Sequence, residues 1–239
     1  MLASEFGVAG GAAQMPRTHT QSPIVTGSSV LGIVYKDGVM IMADTLGSYG
    51  SMARFRGLQR IRKITDTTLI GAGGEYSDFQ EIMHILKDLT IRDWANDDGN
   101  ILGSSEVFNY LTRVMYSKRS NVNPFWNQLL VAGFEQGKSL LGYVDLYGTS
   151  YKDVVAATGF GTYLGIPLLR KAWRQGLSAE EARKILEDAH RVLLYRDGRT
   201  LNKFQIAKVT ADGVNISEPY SLKTDWEYRR FVDPDDTAM

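Results

Sequence analysis

Residues 25–44 read Val25-Thr-Gly-Ser-Ser-Val-Leu-Gly-Ile-Val-Tyr-Lys-Asp-Gly-Val-Met-Ile-Met-Ala-Asp44, and the fold prediction starts from this segment. Two apolar runs, Ser28 to Tyr35 and Val39 to Thr45, flank the dipeptide Asp37-Gly38. Asp-Gly between apolar runs is a strong signal for a tight hairpin turn. The stretch therefore predicts two antiparallel strands, of which the second ends near Ala-Asp.

The rest of the chain extends this hairpin into separate runs of strands and helices. Apolar residues at helical spacing predict four helices, and Ser77 with Gln80 and Ser178 with Glu181 predict two capping boxes. The remaining predicted segments are strands at Ile61 to Thr65 and Thr67 to Gly73, helices from Ser77 and near Ser104, strands at Leu129 to Phe134, Ser139 to Leu146 and Asp153 to Thr158, helices at Phe160 to Gln175 and from Ser178, and strands at Phe204 to Thr210 and Val214 to Ser217.

This order of elements predicts the fold class. Segregated strands and helices joined by hairpin turns favour antiparallel sheets. Two such sheets packed face to face, each covered outside by a helix pair, would bury every apolar face in the pattern. We therefore predict an α+β fold, a four-layer α-β-β-α sandwich. We find no internal repeat and no dividing linker, so the 239 residues are expected to form one domain with two tails.

Composition excludes several classes of function. The chain has 27 Lys and Arg, 27 Asp and Glu, three His and no Cys. Without Cys there is no disulfide, thiolate nucleophile or Cys-based zinc site, and three His leave few ways to bind a metal. A net charge of zero argues against nucleic acid and anionic membranes as partners. The charge-free stretch Val154 to Leu169 is shorter than the roughly 20 residues of a membrane-spanning helix. We predict no cofactor and no metal.

Two glycine-rich loops resemble nucleotide-binding motifs. Gly159-x-Gly161-x-x-x-Gly165 follows a strand and opens a helix, as a dinucleotide loop does. Its third glycine is one position late, however, and no βαβ unit surrounds it. Gly71 to Gly74 is not followed by Lys-Ser/Thr, so it is not a P-loop. Close packing of backbone is the preferred interpretation of both loops.

The histidines and one basic cluster allow other interpretations. His84 and His190 lie in the middle of predicted helices without a second ligand at useful spacing, so we expect surface or half-buried positions. The basic cluster allows nucleic-acid binding, but a loop that faces solvent or another subunit fits a neutral chain better. Its members are Arg54, Arg56, Arg60, Arg62 and Lys63.

The C-terminal segment from Tyr220 carries aromatic residues without helix or strand periodicity. Trp226, Tyr228 and Phe231 stand among charged residues. Aromatic side chains in such a tail favour burial against a partner surface. The alternative is a tail that folds back on its own domain.

At this point the sequence resembles a known family. Residues 25–44 are similar to the opening of a proteasome beta subunit, and the likeness extends from about Thr20 to about Val214. Segments containing LGSYGS and NPFWN narrow it to one subunit type of the beta ring. The resemblance implies the N-terminal-nucleophile hydrolase fold, which is the sandwich predicted above. The similar segments are 45–56, 115–126, 141–145, 195–197 and 202–207.

The resemblance also implies where a catalytic site would lie. In active relatives an N-terminal threonine attacks the peptide carbonyl and its own α-amine is the base. The resemblance puts Ser28 at the nucleophile position, Asp44 at that of the strand-end aspartate and Arg60 at that of the lysine. It also puts Asp197 at a later aspartate and Thr200 at a position that is usually serine.

Two departures predict that this chain is not catalytic. Arginine cannot be deprotonated in proteins, so Arg60 cannot exchange protons as a lysine does. The resemblance puts pro-segment cleavage between His19 and Thr20, which leaves eight residues ahead of Ser28 and makes its nitrogen an amide. We expect four of these positions to keep structural hydrogen bonds only, namely Ser28, Asp44, Arg60 and Asp197. The rival hypothesis, an active peptidase, requires cleavage between Gly27 and Ser28.

The role implied is that of a structural and assembly subunit of the 20S core particle, which supports ATP- and ubiquitin-dependent degradation by neighbouring threonine proteases. Its expected partners are alpha and beta subunits in a 28-chain hetero-oligomer of four stacked rings, in its own ring and the opposite one, together with assembly chaperones. The expected location is cytoplasm and nucleus. We predict a pro-segment at 1–19, a domain at 20–219 and, at 220–239, a tail for inter-ring contact anchored by Trp226, Tyr228 and Phe231.

Overall fold

The computed structural model describes residues 22–99 and 102–227, which form two antiparallel sheets between two layers of helices. The predicted cleavage site at His19 and Thr20, and the tail residues Tyr228 and Phe231, lie outside these residues. The strands are β1 Val25–Gly27, β2 Val30–Tyr35, β3 Gly38–Asp44, β4 Gly47–Tyr49, β5 Met52–Phe55, β6 Ile61–Thr65, β7 Thr68–Glu75, β8 Asn127–Glu135, β9 Lys138–Val144, β10 Ser150–Lys152, β11 Val155–Ala157, β12 Phe204–Thr210 and β13 Gly213–Ile216; the helices are α1 Tyr76–Asn96, α2 Ser104–Ser120, α3 Gly161–Ala172 and α4 Ala179–Arg196.

The hairpin predicted around Asp37-Gly38 forms as β2 and β3, which lie inside the second sheet. The first sheet has the order β10-β9-β8-β7-β1-β4-β5, with β6 also paired to β7, and the second has the order β11-β2-β3-β12-β13. β2 pairs antiparallel with β3 from Val30↔Ala43 to Tyr35↔Gly38. Because β12 pairs with the whole length of β3, the Asp44 end of β3 lies beside Phe204.

Three apolar clusters fill the spaces between the four layers. Val30, Ile41, Leu69 and Leu130 are fully buried between the two sheets. A second cluster packs α1 and α2 on the first sheet, and a third packs α3 and α4 on the second. The layers therefore follow the predicted order α-β-β-α, and the predicted fold class is confirmed.

The differences from prediction concern short elements. The pattern missed β1, β4, β5 and β10, which have three or four residues each, while the strand predicted at Asp153 to Thr158 contains β11. The Ser178 and Glu181 capping box is present at α4. The box predicted at Ser77 is wrong, because α1 begins one residue earlier and the Glu75 side chain caps it by accepting from the Ser77 N–H.

The glycines of the Gly159 loop bring α3 close to β2. A Cβ atom added at Gly161 or at Gly165 would come within 2.8 Å of the Leu31 side chain. These glycines therefore allow close helix-to-strand packing, which is the interpretation that the sequence favoured. Pro167 lies in the interior of α3 and not in its first turn. Within the described residues, no helix combines the length and the apolar character needed to cross a bilayer.

His190 is fully buried, so its predicted surface or half-buried position is wrong. Its Nε2 contacts the carbonyl oxygen of Met42 at 2.9 Å, and its ring lies 5.2 Å from that of Phe204. Burial lowers the pKa of His190 to about 3, with a smaller contribution from the positive charge of Arg60. His84 is exposed, as predicted.

The buried His190 predicts a loss of stability in acid. Its pKa is lower in the folded chain, about 3, than in the unfolded chain, so the unfolded state binds the proton first as the pH falls below about 6.5. We expect the free energy of unfolding to fall by about 2 kcal/mol more in the wild type than in His190→Gln between pH 6 and pH 4. Urea unfolding at each pH measures this difference. His84→Gln is the matched control, and an equal pH slope in wild type and His190→Gln would contradict the prediction.

Candidate functional site

Three residues that the sequence singled out meet where the two sheets approach each other. Ser28 lies between β1 and β2, Asp44 ends β3, and Arg60 directly precedes β6. The Ser28 hydroxyl donates to Asp44 Oδ1 at 2.9 Å and accepts from Arg60 Nη2 at 3.2 Å. The three side chains, which are 16 residues apart in the sequence on each side of Asp44, are therefore in direct contact.

Arg60 is a buried structural centre and not a member of a solvated loop, so the prediction for the basic cluster is wrong for this residue. It is 1% exposed, whereas the other members of the cluster are exposed. Its guanidinium forms an ion pair with Asp44. Its further acceptors are the carbonyl oxygens of Asp44 at 3.0 Å, Ser28 at 2.7 Å, Ala72 at 3.1 Å and Ser29 at 3.2 Å.

Asp44 carries the compensating negative charge. Burial raises the pKa of its carboxyl, and this rise is opposed by the Arg60 guanidinium, by the Leu201 N–H at 2.9 Å from Oδ2 and by the Ser28 hydroxyl. Since a cation and two further donors point at this carboxylate, we assign it the ionised form. A carboxylate neutralised in this way is a poor base for the Ser28 hydroxyl.

Ser28 also lines a small cleft of about 180 Å³ between the ends of the sheets. Asp197 lies on its wall, and its Oδ1 accepts from the Arg199 N–H at 2.9 Å. Thr200 does not line this cleft, and its buried hydroxyl has no hydrogen-bond partner within the described part of the chain. The cleft therefore combines Ser28 and Asp197, while Asp44 and Arg60 lie beneath it.

The strand that precedes Ser28 is the part of the site that the sequence pattern missed. β1 pairs with β7 on one side, at Thr26↔Glu75 and Gly27↔Gly74, and with β4 on the other. Three residues, one of them glycine, are too few for a strand pattern. β1 therefore fills the sheet between β7 and β4, and the nitrogen of Ser28 is a peptide nitrogen bonded to Gly27.

Contacts of Glu75 and of Gly27, the last residue of β1, hold this strand in place. Glu75 is 7% exposed, and its Oε2 accepts from the backbone N–H groups of Ile24 and, at 3.0 Å, Val25. Gly27 lies against the guanidinium, since a Cβ atom there would come within 2.6 Å of Arg60 Cδ. Glycine is thus required where the arginine crosses the backbone. The sequence shows Gly27 directly before Ser28, but the need for glycine at this position becomes clear only from its contact with Arg60.

The chemistry of this site follows from what surrounds the hydroxyl. A serine nucleophile needs a base that accepts its proton. The residues that line the cleft include no histidine and no lysine, and Arg60 cannot accept a proton. Among the described residues there is also no cluster of three potential metal ligands. The geometry has the outline of a nucleophile site without a histidine or a lysine beside the hydroxyl.

A four-layer α-β-β-α sandwich with a hydroxyl residue before β2 and an aspartate at the end of β3 defines the N-terminal-nucleophile hydrolase class. A family profile described as "Proteasome subunit" matches residues 24–209. The chain belongs to the proteasome subunit family, as the resemblance predicted.

The curated relatives identify the subunit type that the LGSYGS and NPFWN segments indicated. The chain is 51% identical over 215 residues to "Proteasome subunit beta type-4" of Arabidopsis thaliana, covering 90% of this chain and 87% of the relative. It is 44% identical over 219 residues to the Xenopus laevis protein of the same name, covering 91% and 90%. "Proteasome subunit beta type-7" of Saccharomyces cerevisiae is 42% identical over 202 residues, covering 80% and 76%.

Proposed function

We propose that this chain is a non-catalytic structural and assembly subunit of the 20S core particle. The observation that carries the proposal is the position of Ser28, which follows β1 inside a continuous sheet and contacts Arg60 instead of a lysine. With its nitrogen in a peptide bond, Ser28 has no α-amine to act as base. The residues around Ser28 hold strands together, and peptide hydrolysis belongs to neighbouring subunits.

The proposed partners follow from membership of the family and from the names of the relatives. The chain would occupy one place in a beta ring, with two neighbours in that ring and at least one subunit in the opposite ring of a 28-chain particle of four stacked rings. Assembly chaperones are further partners, and protein degradation that depends on ATP and ubiquitin in cytoplasm and nucleus is the process served. We also propose removal of 1–19 between His19 and Thr20.

Labelling assembled particles with a threonine-directed epoxyketone or vinyl sulfone tests the absence of catalysis. We expect no adduct on this chain, because Ser28 lacks a base, while catalytic subunits of the same particles supply the positive control. Mass spectrometry of the separated subunits is the measurement. An adduct at Ser28 would contradict the proposal.

N-terminal sequencing of the mature subunit tests the cleavage site separately. The expected first residue is Thr20, which leaves β1 attached to Ser28. A sequence that begins at Ser28 would remove β1 and generate an α-amine at the hydroxyl residue. That result would revive the active-peptidase hypothesis.

A further inference from the structure

We propose that a groove between β6 and α1 binds an extended segment of another protein chain that alternates acidic and apolar residues. This β6–α1 groove has a volume of about 450 Å³ and shares no lining residue with the Ser28 cleft. The lining residues include Arg62, Lys63, Ile64, Phe79, Met83 and Lys87. The proposal goes beyond the subunit role and does not depend on the absence of catalysis.

The positive charge of the groove favours a negatively charged partner. Arg62 and Lys87 are exposed at its rim together with Lys63, and no acidic residue lines it. Lys63 is paired with the exposed Asp66, whereas Arg62 contacts the neutral Gln59 side chain at 3.3 Å. The remaining positive charge favours carboxylates on the bound segment.

The floor of the groove is apolar and suits side chains that alternate with the carboxylates. Phe79 and Leu86 of α1 are buried, and Ile64 and Met83 are half-buried beside them. The volume of about 450 Å³ lies in the range that is typical of ligand sites. Methionine adapts its shape to different partners, so the floor tolerates several aliphatic side chains.

The wall formed by β6 explains why the bound segment is extended. β6 pairs with β7 on one edge and, within residues 22–99 and 102–227, with no strand on the other. An edge strand presents N–H and C=O groups that a peptide can pair with by strand addition. Side chains of an added strand alternate between two faces, which matches an acidic and apolar repeat. The edge strand and the apolar floor favour a peptide over a polyanion such as RNA.

Fluorescence anisotropy with labelled peptides tests the proposal on the full chain. The probes are a ten-residue peptide of alternating Glu and Leu, the same pattern with Lys for Glu, an acidic peptide with two central prolines, and a single-stranded oligonucleotide. Proline removes backbone donors, so the third peptide cannot complete a strand. We expect only the first peptide to bind.

Charge reversal in the groove provides the matched variants. Arg62→Glu with Lys87→Glu should weaken binding of the Glu-Leu peptide by at least about tenfold, and Lys184→Glu on α4, an exposed lysine outside the groove, should leave it unchanged. The milder pair Arg62→Gln with Lys87→Gln, compared at a matched far-UV spectrum, replaces the reversal variant if that variant does not fold. No binding of the Glu-Leu peptide, equal binding of the basic or proline peptide, preference for the oligonucleotide, or affinity unchanged by the groove variants would overturn the proposal.

Discussion

Replacing Arg60 with methionine is expected to lower the free energy of unfolding by about 3–5 kcal/mol. The guanidinium donates to side-chain or carbonyl oxygens of Ser28, Ser29, Asp44 and Ala72. These residues lie between β1 and β2, at the end of β3 and within β7. Methionine fills a similar volume but leaves the Asp44 carboxylate buried without its cation. Removing one partner of a buried pair costs far more than the pair itself contributes.

Urea unfolding of the full chain, followed by tryptophan fluorescence, measures this loss. Arg62→Met is the matched control, since Arg62 is exposed and should change stability by no more than about 0.5 kcal/mol. Arg60→Lys should lie between the two, because one ammonium group cannot reach acceptors spread over several strands. A loss below about 1 kcal/mol in Arg60→Met would contradict the structural role.

A double variant separates the ion pair from the carbonyl contacts. Asp44→Asn combined with Arg60→Met should cost less than the sum of the single changes, because neither leaves the other as an uncompensated buried charge. The carbonyl oxygens of Ser28 and Ala72 lose their donor in Arg60→Met and in the double variant alike. The double variant should therefore remain less stable than wild type. Strict additivity would show that Asp44 and Arg60 do not interact.

The comparison with prediction shows which features the sequence encodes locally. The β2–β3 hairpin follows from Asp37-Gly38 between apolar runs, and α4 follows from its capping box and apolar face, because both signals lie within a few neighbouring residues. β1 gives no such signal, since its stability comes from pairing with β4 and β7 and from the Glu75 carboxylate. Strands held only by distant partners have no pattern of their own to read.

The sequence indicated which residues form the site, but not how deeply they are buried. Ser28, Asp44 and Arg60 were found by spacing and resemblance, and the structure brings these three side chains together. Arg60 nevertheless looked like one member of an exposed basic cluster, because its burial depends on contacts with strands far along the chain. His190 was misjudged for the same reason, as its buried partner Met42 is 148 residues away.

The segment predicted as an inter-ring tail, residues 220–239, begins with contacts to its own domain. Tyr220 pairs with Phe204 through two backbone hydrogen bonds of 2.7 and 2.9 Å, and Leu222 is 6% exposed within the second sheet's helix-covered core. Asn202 donates to and accepts from the backbone of Leu222. Removal of everything after Tyr220 would therefore disturb the domain as well as any contact between rings.

In the part of the tail that the structure describes, Trp226 is a large aromatic residue whose exposed side chain a partner could contact. Its ring packs edge-on against Tyr195 at 4.8 Å, yet its side chain remains 64% exposed. The Tyr195 hydroxyl accepts from the Asp225 N–H at 2.8 Å, which orients the chain just before the tryptophan. Because these contacts already restrict the side chain, burying its exposed surface against a partner would cost little further conformational entropy.

Truncation after Asp225 is therefore expected to weaken pairing of half-particles while the domain stays folded. Trp226→Ala alone should reproduce much of the effect, since a central aromatic anchor contributes about 2 kcal/mol or more to an interface. Native gels of cells that carry each variant measure the ratio of half-particles to complete particles. We expect several-fold accumulation of half-particles in both.

Trp94→Ala supplies the matched control for the loss of an exposed tryptophan. Trp94 is 82% exposed near the end of α1, in the helix layer opposite to α4. It should leave the ratio of half-particles unchanged, and thermal unfolding should show the domain intact in all three variants. If truncation after Asp225 leaves the ratio at the wild-type value, the segment from Trp226 onward does not stabilise the pairing. A matching rise in Trp94→Ala would instead assign the effect to general loss of surface contacts.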